Sequence, residues 1–139
     1  MNPTPYLFFD GNCAEAIDFY ARVFGAEVDM KLPASEMPPE YPIPEERKNW
    51  IMHASMKVGE GELMLSDALF GESGAMSGCS VMVSLPTTPE AASTFRQLSE
   101  GGNVEMAFEP TFWSSGFGTL TDKFGVRWMV GSDEPPAEG

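Results

Sequence analysis

The segment FYARVFGAEVDM, residues 19–30, is written a second time as FRQLSEGGNVEM, residues 95–106. Laid over each other, Phe19 meets Phe95, Gly25 meets Gly101, Val28 meets Val104 and Met30 meets Met106, with Asp29 opposite Glu105. A second match lies further along, where Lys57 meets Lys123, Gly59 meets Gly125, Ser66 meets Ser132 and Asp67 meets Asp133. The offset shrinks between the two matches because the first copy holds a longer, proline-rich loop. Repetition in the same order means that the chain is one module duplicated, and each half reads strand, helix, strand, strand, strand. A βαβββ unit covers one face of its sheet with the helix and leaves the other bare. The expectation is therefore an α+β fold of two βαβββ modules with incurved mixed sheets, paired through their bare faces around a cavity.

The local pattern supports that order. YLFF (6–9) is a short apolar run stopped by Asp-Gly-Asn and reads as a buried strand. Asn12 is a good N-cap with Glu15 placed for a capping box, and Ala16, Ile17, Tyr20, Val23 and Phe24 form an apolar stripe that Gly25 ends. AEVDMKL (26–32) makes the next strand. PASEMPPEYPIPEERKN carries five prolines and reads as a long covering loop over 33–49. WIMHASMKV (50–58) alternates, with Met52, Ala54, Met56 and Val58 on one face and His53, Ser55 and Lys57 on the other; ELMLSD (62–67) closes a hairpin with it. In the second half CSVMVSL (79–85) is a strand, Thr88 caps and Pro89 opens a helix facing the core with Ala91, Ala92, Phe95 and Leu98, and NVEMAFEP (103–110) follows. FGTLTD (117–122) and VRWMVGS (126–132) then pair across a Lys-Phe-Gly turn. The module boundaries fall at 1–70 and 71–133, with 134–139 a loose acidic tail.

Charge narrows the function classes. Twenty-one acidic residues against eight basic ones give a formal charge of −13, which repels phosphate backbones and anionic membrane surfaces, so neither nucleic acid nor membrane is an expected partner. MNPTPYLFF has no basic region and only a short apolar run before Asp10, so no signal peptide or membrane span is expected and a soluble, cytoplasmic protein is the reading. Cys13 and Cys79 lack paired metal or redox spacing and read as free thiols. Cys13 falls in the first turn of a helix, where the dipole lowers a thiol pKa, but nothing else marks it as a nucleophile.

Several residues can carry chemistry. His53, the single histidine, sits on the polar face of its strand and would act as a general base near neutral pH, or serve packing alone. Asp67 at a strand end would orient His53, or simply end the strand. TFWSSGFG sets Trp113 and Phe117 around a small, flexible stretch suited to a gate over an apolar ligand, or to core packing. Arg127 would meet an anionic group or a surface acid. Ten methionines provide a soft lining or a soft core.

The segments YLFFDGNCAEAIDFYARVFGAE, IMHASMKVGEGELMLSD and GGNVEMAFEPTFWSSGFGTLTDKFGVRWMV resemble the PhnB-like branch of the vicinal oxygen chelate superfamily, which includes glyoxalase, extradiol dioxygenase and bleomycin-resistance proteins. The resemblance runs from residue 4 to about 132 and is most specific in TFW…GFG…DKFGVRWM. It implies paired βαβββ modules, a homodimer, and a pocket that here would be lined by Tyr6, Phe8, Trp113, Phe117, Arg127 and Met129. The superfamily's enzymes hold a divalent metal, but the implied ligand positions fall on Pro5, Val81 and Met129, none of them a good donor, and only Asp67 offers a carboxylate. No cofactor of the familiar kind is expected. Two functions follow as expectations: a protein binding a small apolar or aromatic molecule without turnover, or a lyase, isomerase or oxygenase using His53 and Asp67. A methyltransferase would need a glycine-rich loop after the first strand, and FFDGNCAEA is not one.

Overall fold

A computed structural model describes residues 1–137. The first half builds β1 (Tyr6–Phe9), α1 (Cys13–Phe24), β2 (Glu27–Pro33), β3 (Ile51–Val58) and β4 (Gly61–Asp67). The second builds β5 (Val81–Leu85), α2 (Thr88–Ser99), β6 (Asn103–Glu109), β7 (Phe117–Thr121) and β8 (Arg127–Ser132). The strand orders are β1-β4-β3-β2 and β5-β8-β7-β6. In each sheet the first pair is parallel and the other two are antiparallel, so both sheets are mixed and each helix connects a strand at one edge to a strand at the other. The two compact units divide between Gly74 and Ala75.

In the first unit the period-two pattern decides what is buried. Along β1, Leu7 and Phe9 are buried while Tyr6 and Phe8 are exposed. Leu7 and Phe9 share a face with Ala54 and Met56 of β3 and with Leu63 and Leu65 of β4. The buried stripe of α1, Cys13, Ala16, Ile17 and Tyr20, covers that face. Leu65 is fully buried, and cutting it to Ala would cost about 2–5 kcal/mol of lost burial and cavity. In the second unit Ala91, Phe95 and Leu98 of α2 lie over Leu120, Trp128 and Val130.

The duplication extends to an irregularity. In both sheets the register between edge strand and neighbour slips at the same place, between Val28 and Met30 and again between Val104 and Met106. The bulged residues are Asp29 and Glu105. Asp29 reaches Lys57 at 3.9 Å, while the Thr121 hydroxyl donates to Glu105, and both contacts tie an edge strand to its neighbour.

Four local expectations need correction. Asn12 makes no side-chain cap to α1. The cap of α2 is Thr87, whose hydroxyl accepts from the Glu90 N–H, and Thr88 is already helical. The SSG stretch is not a flexible gate: the Ser114 hydroxyl is buried within 2.7 Å of the Ser132 carbonyl and accepts from the Gly116 N–H. Nor does the tail begin loose, because the Ser115 N–H donates to the Glu134 carbonyl at 3.0 Å and the Thr88 N–H donates to the Glu134 carboxylate at 2.6 Å. Residues 138–139, which close that expected tail, lie outside the described residues. Among the described residues no helix is long and apolar enough to cross a membrane.

Candidate functional site

The bare face of the first sheet carries the only histidine. Strand pairing sets Phe8 beside Ser66, and Tyr6 beside Met64, which in turn pairs with Ser55. His53 is one step from Ala54, so it lies beside Ser66 and opposite Leu32 of β2. The Tyr6 phenol reaches from β1 across β4 to β3, where its oxygen stands 2.8 Å from His53 Nδ1. The two rings stack at 5.6 Å between centroids, and Phe8 lies 5.0 Å from the Tyr6 ring. Ser55 and Ser66 keep only 7% and 5% of their surface, whereas Phe8 keeps 60%.

Asp67 does not join this group. It faces the helix side, next to Phe9, and is 3% exposed. One carboxylate oxygen accepts from the Gly11 and Cys13 N–H groups at 2.7 and 3.1 Å, and the other accepts from the Ile51 N–H at 2.8 Å. The carboxylate thus supplies, from a strand end, the helix cap that Asn12 does not, and it pins the start of β3 as well. The expected His53–Asp67 pair is replaced by His53–Tyr6. Cys13, buried beside Asp67, has its thiol pushed up by burial and further by that carboxylate, which removes it as a nucleophile.

A groove of about 440 Å³ opens at the end of this sheet, lined among others by Phe8, Met37, Met52, Leu69 and Phe70. Phe8 belongs to both the groove and the bare face. The groove's walls are fixed by polar contacts of the proline loop. Arg47 Nη1 lies within 3.3 Å of the carbonyls of Ala68, Leu69 and Gly71, and its guanidinium stacks 4.5 Å over Trp50. Trp50 in turn packs on Gly11, where an added Cβ would fall 2.8 Å from the indole. Asp10 accepts from the Ser73 N–H and hydroxyl, both at 2.8 Å, and these bonds hold its carboxyl below its ordinary range, with Arg47 adding to the effect.

The remaining expected site residues lie in the second unit. Met129 and Phe117 share the bare face of that sheet with Met82, Thr119 and Met106. Trp113 meets Phe117 edge-on at 5.3 Å, and Phe112 meets Trp113 at 4.8 Å. Arg127 alternates with the buried Trp128 and so stands on that same bare face. Its N–H donates to the Met76 sulfur at 3.3 Å. Sequence reading had no means to find Ser66 or the Tyr6 contact, since both depend on the parallel pairing of β1 with β4, which no local pattern encodes.

Donor chemistry was tested against a resident divalent metal. Among the described residues no three of His, Cys, Asp or Glu converge. Among them His53 stands without a set of donors of that kind beside it, and both Asp67 oxygens are taken by backbone N–H groups. These residues do not fit such a metal.

Comparison with known proteins gives a consistent result. Residues 4–130 match the Glyoxalase/Bleomycin resistance protein/Dioxygenase superfamily. The chain is 36% identical over 138 residues to Protein YjdN of Escherichia coli strain K12, covering 94% of each. The crystal structure of protein PA1353 from Pseudomonas aeruginosa superposes with a TM-score of 0.87 at 38% identity, over 96% of this chain and 98% of that one. The PhnB protein of Bacillus cereus superposes with a TM-score of 0.79 at 25% identity, over 95% and 99%.

Proposed function

Because the chain belongs to the Glyoxalase/Bleomycin resistance protein/Dioxygenase superfamily, we propose that it holds a small, largely apolar or aromatic molecule against the bare face of its first sheet. The observation that carries this reading is the Tyr6–His53 pair at 2.8 Å, set beside an exposed Phe8 that also lines the groove. Aromatic rings give area at low entropic cost, and one oriented polar pair gives direction, which is the usual composition of a small-molecule site. Metal-dependent lyase or oxygenase chemistry lacks its ligands among these residues. The test is protein-observed NMR with small aromatic compounds. Binding here shifts the side-chain signals of Tyr6, Phe8 and His53; shifts confined to other residues would refute the reading.

A second reading, proton-transfer catalysis, draws on the same hydrogen bond. A phenol fixed at Nδ1 orients the imidazole and leaves Nε2 to take or give a proton. Tyr6 then fills the positioning role expected of Asp67. Under this reading His53→Ala abolishes turnover with the fold intact, and Tyr6→Phe lowers kcat more than it changes KM; a rate unchanged in both variants would rule it out. The proposed assembly is a homodimer, in keeping with Met30 and Val104, Met106 left exposed on edge strands, and light scattering of the purified protein decides it.

A further inference from the structure

The polar groups on the first sheet's bare face are not required by the fold. Strand pairing gives each of them a counterpart in the second unit. Tyr6 corresponds to Met82, His53 to Phe117, Ser55 to Thr119 and Ser66 to Gly131. The second unit forms the same sheet with the same bulge while lacking the phenol, the imidazole and one of the hydroxyls. Residues that the architecture does without are free to serve a ligand.

Each of these groups can give a hydrogen to a ligand. Ser55 and Ser66 are more than nine-tenths buried, yet neither hydroxyl bonds another described residue; since no fully enclosed polar atom lacks a partner, both keep an opening to the bare face. Tyr6 and His53 share one proton in their mutual bond. With the phenol donating, the imidazole carries its proton on Nε2; with the other tautomer, the phenol O–H is the free donor. Either way the pair presents one donor in addition to the two hydroxyls, together with an acceptor at the phenol oxygen or at Nε2. Of the two carboxylate residues on the adjoining groove, Asp67 has both oxygens filled by backbone N–H groups, and Glu72 belongs to the groove with Phe8 and not to the strands that carry Tyr6, His53, Ser55 and Ser66.

Resting on the binding reading above, we infer that the molecule held here is a planar aromatic compound with a ring-conjugated oxygen acceptor, a carbonyl or phenolate, its ring against Tyr6 and Phe8 and its oxygen on His53 and the Ser66 and Ser55 hydroxyls. A ligand that covers these hydroxyls displaces the water that reaches them through that opening, and an acceptor oxygen replaces the lost partner. The arrangement selects against a hydrocarbon of the same shape, which would leave these donors without a partner.

Four probes built on one benzene ring test this: acetophenone, benzoate, toluene and benzylamine, each titrated into the intact protein while the His53 and Tyr6 ring signals are followed by NMR. Acetophenone is expected to bind at least about tenfold more tightly than toluene. Benzylamine reports the general attraction of a protein of charge −13 for a cation, against which the neutral probes are read. Ser55→Ala with Ser66→Ala is expected to erase the preference for acetophenone and leave toluene unchanged; Ser66→Gly, the residue of the second copy, is the alternative should the double variant lose its fold. Equal binding of acetophenone and toluene at this face overturns the acceptor inference and leaves the binding reading intact. Absence of any shift at His53, Tyr6 and Phe8 with all four overturns both.

Discussion

The two halves of this chain mostly agree where a helix presses on the sheet and differ most where none does. Beneath α1 and α2 the same strands carry the same kind of buried aliphatic and aromatic residue, Leu65 matching Val130 and Leu63 matching Trp128. Even the bulge at Asp29 recurs at Glu105. On the bare faces Tyr6, His53 and Ser66 stand where Met82, Phe117 and Gly131 stand in the other copy. Packing is intolerant of change, so the covered face is held, while the open face is free to carry a phenol and an imidazole in one copy and a thioether and a phenyl ring at the same places in the other.

The sharpest way to break the comparison is at the strand end that anchors each helix. Asp67 corresponds to Ser132 by strand register: Phe9 pairs with Asp67, Leu85 with Ser132. Asp67 satisfies three backbone N–H groups, whereas the Ser132 hydroxyl meets Thr88 Oγ1 at 2.8 Å and accepts from the Glu134 N–H at 3.1 Å. Asp67→Ala strands those donors in the interior and should cost about 3–5 kcal/mol. Ser132→Ala should cost about 1 kcal/mol. Urea denaturation of both variants checks the ratio, and equal losses would mean that the two ends are anchored alike.

Next in size is a device the second copy lacks. Arg47 ties the proline loop to residues 68–71 and stacks on Trp50. Arg47→Ala should cost about 1–2 kcal/mol and speed amide exchange in residues 34–50 and 68–73, with α2 and β5 to β8 unchanged. Arg47→Lys keeps the charge but loses the planar stacking and should recover only part of the protection.

Smaller again is the effect of making the first bare face more like the second. Tyr6→Phe removes the bond to His53 and should cost about 1 kcal/mol or less, because both groups remain open to water. The measurement that matters is the His53 ring signal, which should show faster exchange of its N–H proton. Met82→Phe in the second unit changes no polar contact and serves as the control.

Most of the architecture was legible because it is periodic or repeated. Alternation in YLFF and IMHASMKV, the stripe in α1 and the double occurrence of VxM each give strand, helix or copy directly. The site was legible in its parts and not in its assembly. His53, Tyr6 and Phe8 were all identified, but the hydrogen bond joining the first two spans β1, β4 and β3, and its register is a tertiary fact. The match of Asp67 to Asp133 is displaced for a definite reason. Matching Gly59 to Gly125 aligns two turn glycines that both have positive φ, yet the second hairpin is longer: Val58 pairs with Gly61, Thr121 with Arg127. The glycines track turn chemistry, so the match beyond them is displaced and Asp67 is set against Asp133 in place of Ser132.

The smallest expected effect is one of pH, and it too separates the halves. Asp10 accepts from the Ser73 N–H and hydroxyl, and those bonds hold its native carboxyl below the value of an unfolded chain. A group depressed in this way stabilises fully above its unfolded pKa, and the contribution is lost as pH falls through the native one. Loop 68–74 should therefore keep constant amide protection from neutral pH down to about pH 5 and lose it below about pH 4. Pro86, one step past Leu85, stands at the corresponding place in the second copy and cannot titrate. Exchange at the start of α2 is thus the internal reference against which Ser73 is read. Asp10→Asn should abolish the difference, since its amide oxygen can accept the same bonds without a proton to gain; a pH dependence that survives in Asp10→Asn would place the titrating group elsewhere.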